Sequence, residues 1–282
     1  MIQENVNSVV LYHDDADGFG AAYAIWWHDK YIVKTQQQRL YIPVNYGQPV
    51  PDLPASTEIL TIVDFSYDRA TCDALASKYQ LLIIDHHKTA QEALAGASYA
   101  VFDMSHSGAV LTWRTFNPSS NMPVLLEYVE DRDLWHWNLP HTESVNLYIA
   151  TLPNDFNVWD AFNFQTAVIA GNVIQTYQNT MLNKITRFAY LGEFEGYPAI
   201  FVQSPVLVSE VGHELLLQHP EVKMAVITFA LNETTTKVCL RSVGDFDVSV
   251  IAKRYGGGGH KNAAGYEINS HLNLIEPCKD GE

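Results

Sequence analysis

The chain has 282 residues, 47% of them hydrophobic, with 17 basic against 32 acidic side chains and a net charge of −15. That length suits one large or two modest domains, each with its own core. No window approaches the ~18 consecutive apolar residues of a membrane span, and the acidity argues against tracking along duplex DNA, where affinity rests on many phosphate contacts.

The opening "MIQENVNSVV" lacks the basic-then-apolar layout of a signal peptide, so a cytoplasmic location is expected. Cys72, Cys239 and Cys278 are scattered, without the paired spacing of zinc or disulfide frameworks, which fits a reduced compartment. A short nucleotide remains compatible with the charge, because bound cations and a few local basic groups can supply the attraction.

In chain order, "SVVLY" (Ser8 to Tyr12), "EILTIVD" (Glu58 to Asp64) and "QLLIID" (Gln80 to Asp85) are unpatterned apolar runs, as buried parallel strands are. Between them "FGAAYAIWWHDK" and "YDRATCDALASKY" read as helices, the second with Ser66 as its N-cap. From Asn163 to Leu191 the sequence has no proline and predicts one long helix, which spaces two lobes or makes a homodimer contact. Beyond it, "YPAIFVQ", "KMAVITFALN" and "TKVCLRS" predict strands of a second sheet. "VSEVGHELLLQH" and "FDVSVIAKRYG" predict its helices, and "GGGGHKNAAGY" follows. The expected fold is α/β, with a mainly parallel N-terminal sheet over 1–152, a helical connector over 153–191 and a smaller C-terminal α/β domain over 192–282. A cleft between the two lobes is the expected ligand site.

Each predicted strand of the first half ends at an acidic cluster, where ligands bind in open α/β sheets. The clusters are "HDDAD" (His13 to Asp17), Asp64 and "DHH" (Asp85, His86, His87), with "EDRD" (Glu130 to Asp133) after a later apolar stretch. Alternation in an extended chain would put His13, Asp15 and Asp17 on one face and turn Asp14 away. Mixed carboxylate and imidazole donors suit manganese, iron or zinc. So many carboxylates leave one divalent ion outweighed by negative charge. Two ions roughly 3.5–4 Å apart fit better, and such pairs serve phosphate-ester hydrolysis.

With "HDDADGFG", "IVDF", "IIDHHKTA" and "EDRDLW" in this order, the chain resembles the DHH phosphoesterase superfamily. "LRS" followed by "GGGGHKNAAGY" resembles the glycine-rich motif of the DHH-associated C-terminal domain. The resemblance implies a DHH catalytic domain, a C-terminal substrate-binding domain and two divalent cations, Mn2+ first, with Mg2+ or Co2+ as alternatives. It assigns one ion to His13, Asp15 and Asp64 and the other to Asp17, Asp64, His86 and Asp131, the last preferred over Asp133. Asp85 is implied to orient the imidazoles, and His87 to contact phosphate or give a proton to the leaving oxygen. His13 departs from the RecJ-like form, which begins this motif with aspartate.

Gly256, Gly257, Gly258 and Gly259 can bring backbone amides close to a phosphate, with His260, Lys261 and Arg241 holding the rest of a short substrate. Ser107, with Gly108, lies at a predicted helix start, where amides can cap an anion. The implied activity is hydrolysis of phosphodiester bonds in short single-stranded oligonucleotides by a two-metal activated water, with no duplex DNA and no membrane as partner. The alternatives are a phosphatase of 3′,5′-bisphosphate nucleotides, a cyclic-dinucleotide phosphodiesterase and a non-catalytic nucleotide sensor. Trp26, Trp27 and Trp113 are expected in the core, while Trp135 and Trp137 lie beside the fourth motif, where a base can stack. His213 and His219 are expected to be ordinary surface or core histidines.

Overall fold

The computed structural model describes residues 7–34 and 39–269. Two units divide the chain, Met1–Gln175 and Thr176–Glu282. Among the described residues no helix is long and apolar enough to cross a membrane. Cys278 lies outside the described residues, and Cys72 and Cys239 are free thiols.

The first unit runs β1 (Ser8–His13), α1 (Ala16–Trp27), a π-helical turn (His28–Val33), β2 (Leu40–Val44), β3 (Ile59–Val63), α2 (Arg69–Lys78), β4 (Gln80–Asp85), α3 (Lys88–Ala93) and β5 (Ala100–Phe102). The strands form one wholly parallel sheet in the order β2-β1-β3-β4-β5. β1 is apolar without alternation because both its faces are covered. Val10 and Tyr12 pack with Phe19, Ile25 and Trp113 on one face, and Val9 and Leu11 pack with Leu60, Ile62 and Cys72 on the other. The first face is closed by α4 (Gly108–Phe116), α5 (Val124–Asp133), α6 (Thr142–Ile149) and α7 (Phe156–Asp160), and α8 (Phe164–Thr186) follows.

Three expectations change here. β2 is an additional strand whose Pro43 is tolerated because β2 is an edge. The N-cap of α2 is Asp68, whose carboxylate accepts from Thr71 N at 2.9 Å, not Ser66. α8 ends at Thr186, because Tyr190 and Leu191 already belong to a hairpin that turns at Glu195 (φ 53°) and Gly196 (φ 78°). Two successive left-handed residues make the tight turn that matches strand twist.

The second unit consists of that hairpin, β6 (Tyr190–Phe194) and β7 (Tyr197–Gln203), then α9 (Val208–Gln218), β8 (Met224–Ala230), β9 (Thr235–Arg241), α10 (Val248–Arg254), β10 (Gly258–His260) and β11 (Ala263–Asn269). Its sheet has the order β10-β11-β9-β8-β7-β6 and is mixed, with β7 and β8 parallel and the other pairs antiparallel. α10 covers one face over Met224, Val226 and Leu240, and α9 covers the other over Ile200, Val202 and Ile227.

Candidate metal centre

The carboxyl ends of β1, β3 and β4 deliver the first three motifs to one end of the sheet. After His13 the chain turns at once into α1, with Asp15 as N-cap accepting from Gly18 N at 2.9 Å. A Cβ on Gly18 would lie 2.1 Å from the His13 carbonyl oxygen, so only glycine permits so abrupt a turn. Asp17 therefore reaches the site from the first turn of a helix rather than by strand alternation. Asp14 is exposed, and its N–H bonds Val44 O at 3.0 Å.

Asp64 sits just beyond β3 in the left-handed region (φ 60°), a conformation aspartate tolerates better than most residues, and its N–H bonds Ile84 O at 2.9 Å. The N-terminus of α4 closes the cluster from the side. Gly108 N and Ala109 N donate to the two oxygens of buried Asp17 at 2.6 and 2.9 Å, an anion on a helix N-terminus supplied by the chain itself. A Cβ on Gly108 would fall 2.5 Å from the Asp64 side chain.

His13 Nδ1 lies 2.7 Å from Asp15 and 3.7 Å from Asp64. His86 Nε2 lies 3.2 Å from Asp64, 3.6 Å from Asp17 and 3.6 Å from Asp133. His13, Asp15 and Asp64 thus form one group of potential ligands, Asp17, His86 and Asp133 a second, and Asp64, His86 and His87 a third, with the ligand atoms of each group within 4.8 Å of one another. Asp64 Oδ1 and His86 Nε2 are buried and make no hydrogen bond. Burying such atoms without a partner is costly, so they mark a place for another group.

Electrostatics point the same way. Burial, reinforced by the charge of Asp17, holds the Asp64 carboxyl well above the usual carboxylate range. Burial and the Asp17 charge push Asp133 up to about 8. For His13, burial works against the proton, but Asp15 and Asp64 overcome it and raise the imidazole to about 10. Protons stand in here for positive charge. The four carboxylates and two imidazoles of the first two groups fit a pair of divalent cations in number, in donor chemistry and in charge.

Asp131 is a correction. Its carboxylate accepts from Asn138 N at 2.9 Å, from Leu139 N at 3.1 Å and from the Thr142 hydroxyl, so it is occupied in shaping the loop after α5. Asp133, one side of a helical turn away, is the member of "EDRD" that faces His86. Ser107 is a second correction. It is fully buried, caps α4 with its own hydroxyl and donates its N–H to Glu130 at 2.9 Å, while Asp17 occupies the next two amides, so no anion from outside finds donors there.

Asp85 Oδ1 accepts from His86 N at 2.7 Å, from His87 N at 3.1 Å and bonds His87 Nδ1 at 2.8 Å. It orients the His87 ring directly and His86 only through the backbone. Despite its burial, Asp85 is held below the usual carboxylate range by His87. Tyr46 went unmarked in the sequence because a lone tyrosine after an edge strand carries no pattern. Its ring centroid lies 5.2 Å from that of His13 and 5.8 Å from that of His87.

Residues 206–277 match the DHHA1 domain family. An uncharacterized protein of Acanthamoeba polyphaga mimivirus is 31% identical over 281 aligned positions, which cover 91% of this chain and 66% of that protein's length. Among solved structures, an exopolyphosphatase-related protein from Bacteroides fragilis superposes with a TM-score of 0.61 at 14% identity, covering 96% of this chain and 89% of that one. RecJ from Thermus thermophilus in complex with Mn2+ gives 0.53 at 17% identity, covering 93% and 49%. A pGpG-specific phosphodiesterase from Vibrio cholerae gives 0.52 at 13% identity, covering 93% of each chain.

Residues 206–277 belong to the DHHA1 domain family, and the chain has the fold of these exopolyphosphatase-related, RecJ and phosphodiesterase structures.

In its DHHA1 domain, Gly256 N donates to Lys253 O at 3.1 Å and Gly257 N to Ala252 O at 2.9 Å, which ends α10. That corrects the expectation that these two amides receive a phosphate. Gly258 and Gly259 lie in the edge strand β10, paired with β11. His260 and Lys261 are exposed, and Lys261 Nζ bonds Asp245 at 2.8 Å. Arg241, at the end of β9, bonds Leu240 O at 2.9 Å and Ser209 Oγ at 3.1 Å, and its Nε is buried without a hydrogen bond.

Proposed function

We propose that the chain is a metal-dependent phosphoesterase that hydrolyses phosphodiester bonds of short single-stranded oligonucleotides in the cytoplasm. The observation that carries this reading is the pair of three-residue ligand groups joined by the 3.2 Å contact of Asp64 with His86, whose facing atoms are buried and unpartnered. His13, Asp15 and Asp64 would hold one divalent cation and Asp17, His86 and Asp133 the other, with Asp64 near both. Such a pair supplies a polarised phosphoryl group and a water acidic enough to attack it near neutral pH.

The chain's own residues do the rest. Asp85, ionised, fixes His87 through Nδ1, which leaves Nε2 as the atom that gives a proton to the departing oxygen. The amides of α4 keep Asp17 in place by holding both its oxygens. In the DHHA1 domain Arg241, Gly258, Gly259, His260 and Lys261 would contact a phosphate or base. The acidic surface favours a short substrate over a long strand. A pGpG-specific phosphodiesterase shares this fold, which supports a dinucleotide as the first substrate to try.

The test is a panel of linear dinucleotides, longer RNA and DNA, cyclic dinucleotides and bisphosphate nucleotides, run with Mn2+, Mg2+ and Co2+. Mononucleotide release that declines with length supports the reading. Release of inorganic phosphate from a 3′,5′-bisphosphate nucleotide alone would replace it with the phosphatase alternative.

A further inference from the structure

Two indoles project from the loop that follows the fourth motif. Trp135 and Trp137 are 40% and 36% exposed, whereas Trp113 and Trp159 of the same unit are each 2% exposed. Their ring centroids stand 4.9 Å apart at 84°. Both residues have left-handed backbones, φ 58° and 55°, which bulky side chains rarely adopt.

The strained loop is firmly held. His136 N and Trp137 N donate to Asp131 O at 2.9 and 3.3 Å, and Asn138 N, Leu139 N and the Thr142 hydroxyl grip the Asp131 carboxylate. Tyr128 adds a bond to Pro140 O at 2.8 Å. Asp131, displaced from the ligand set, thus folds the chain back onto the last turn of α5 instead of letting it leave. Asp133, in that same turn, is 3.6 Å from His86 Nε2. Two residues of chain extend at most about 7 Å, so the first indole is rooted beside the metal centre.

Backbone strain held by surrounding bonds clusters at ligand clamps. Exposed aromatic faces beside a phosphate-handling centre match one chemistry closely, the π-face of a nucleobase. We propose that Trp135 and Trp137 form a platform that receives the base next to the scissile phosphate and selects nucleotides over phosphoesters without a ring. This rests on the phosphodiesterase reading above.

The test compares the linear dinucleotide pApA with an analogue in which one adenine is replaced by hydrogen, using full-length wild type, Trp135→Ala, Trp137→Ala and Trp137→Phe with Mn2+. Wild type is expected to prefer pApA by about tenfold or more in kcat/KM. That preference should shrink toward unity in the alanine variants and survive in Trp137→Phe, with Mn2+ binding unchanged in all. Binding of AMP, followed by titration calorimetry, should weaken in parallel. Equal preference in wild type and both alanine variants overturns the platform, as does a wild type with no preference. If no protein hydrolyses either diester, the phosphodiesterase reading fails, and the AMP titration alone decides on the platform.

Discussion

The two ends of the chain handle polar groups in opposite ways. Where β1, β3 and β4 end, carboxylates and imidazoles crowd together, and Asp64 Oδ1 and His86 Nε2 stay buried without partners. Around the glycine tract of the DHHA1 domain most polar groups answer one another, Arg241 Nε being the exception. Asn262 Nδ2 reaches Ser242 Oγ at 2.9 Å, Lys261 bonds Asp245, and Gly256 and Gly257 donate to α10. A cluster that its own chain leaves unsatisfied is built for a charged guest, while a satisfied one is built for shape. The contrast predicts that substitutions at the first will cost turnover and those at the second will cost substrate affinity.

The largest effect should come from Asp64→Asn, which removes a charge close to both ligand groups. Loss of roughly 10³-fold in kcat is expected, equivalent to about 4 kcal/mol of transition-state stabilisation, with the melting temperature held or raised. Next, Asp133→Asn and Asp131→Asn should part company. The first should lose on the order of 10²-fold in turnover while folding normally. The second should cost about 1–3 kcal/mol of stability, read as several degrees of melting temperature, because three donors lose a charged acceptor. If Asp131→Asn lost its metal and kept its stability, the assignment within "EDRD" would reverse.

Smaller effects sharpen the same comparison. Gly108→Ala would press a methyl into Asp64 and should weaken Mn2+ affinity about tenfold. In the DHHA1 domain, Arg241→Gln should raise KM about tenfold while leaving kcat within a small factor. The pH response is gentler. Metal must displace the protons that Asp133, at about 8, and His13, at about 10, hold in the metal-free protein. Apparent Mn2+ affinity should therefore rise with pH from 6 toward 9, and calorimetry in buffers of different ionisation enthalpy should show proton release. Affinity that falls over that range contradicts the ligand set.

Much of this was legible in the sequence for physical reasons. A strand buried on both faces must be continuously apolar, so β1, β3 and β4 announced themselves, and charge placed directly after them had to lie at the sheet's ligand-binding end. What stayed hidden depended on contacts distant in sequence. Asp131 and Asp133 look alike in "EDRD", and only the fold of Asn138 to Thr142 onto Asp131 separates them. Ser107 looks like an open anion site until Asp17, 91 residues earlier than Gly108, is seen to bond that amide. The hairpin at Glu195 and Gly196 was masked by the helical texture running into it, since two left-handed residues in "FEGY" are weaker punctuation than "NG" or "DG".

The central claim is that the carboxylate cluster of the first unit holds two cations that serve phosphoester hydrolysis. The most direct measurement titrates Mn2+ into the metal-free full-length protein and follows bound ions and release of AMP from pApA in the same samples. Two ions per chain are expected, with product release appearing only as the second site fills. Two ions bound with no hydrolysis of any phosphoester, or full hydrolysis with fewer than two, would contradict the account.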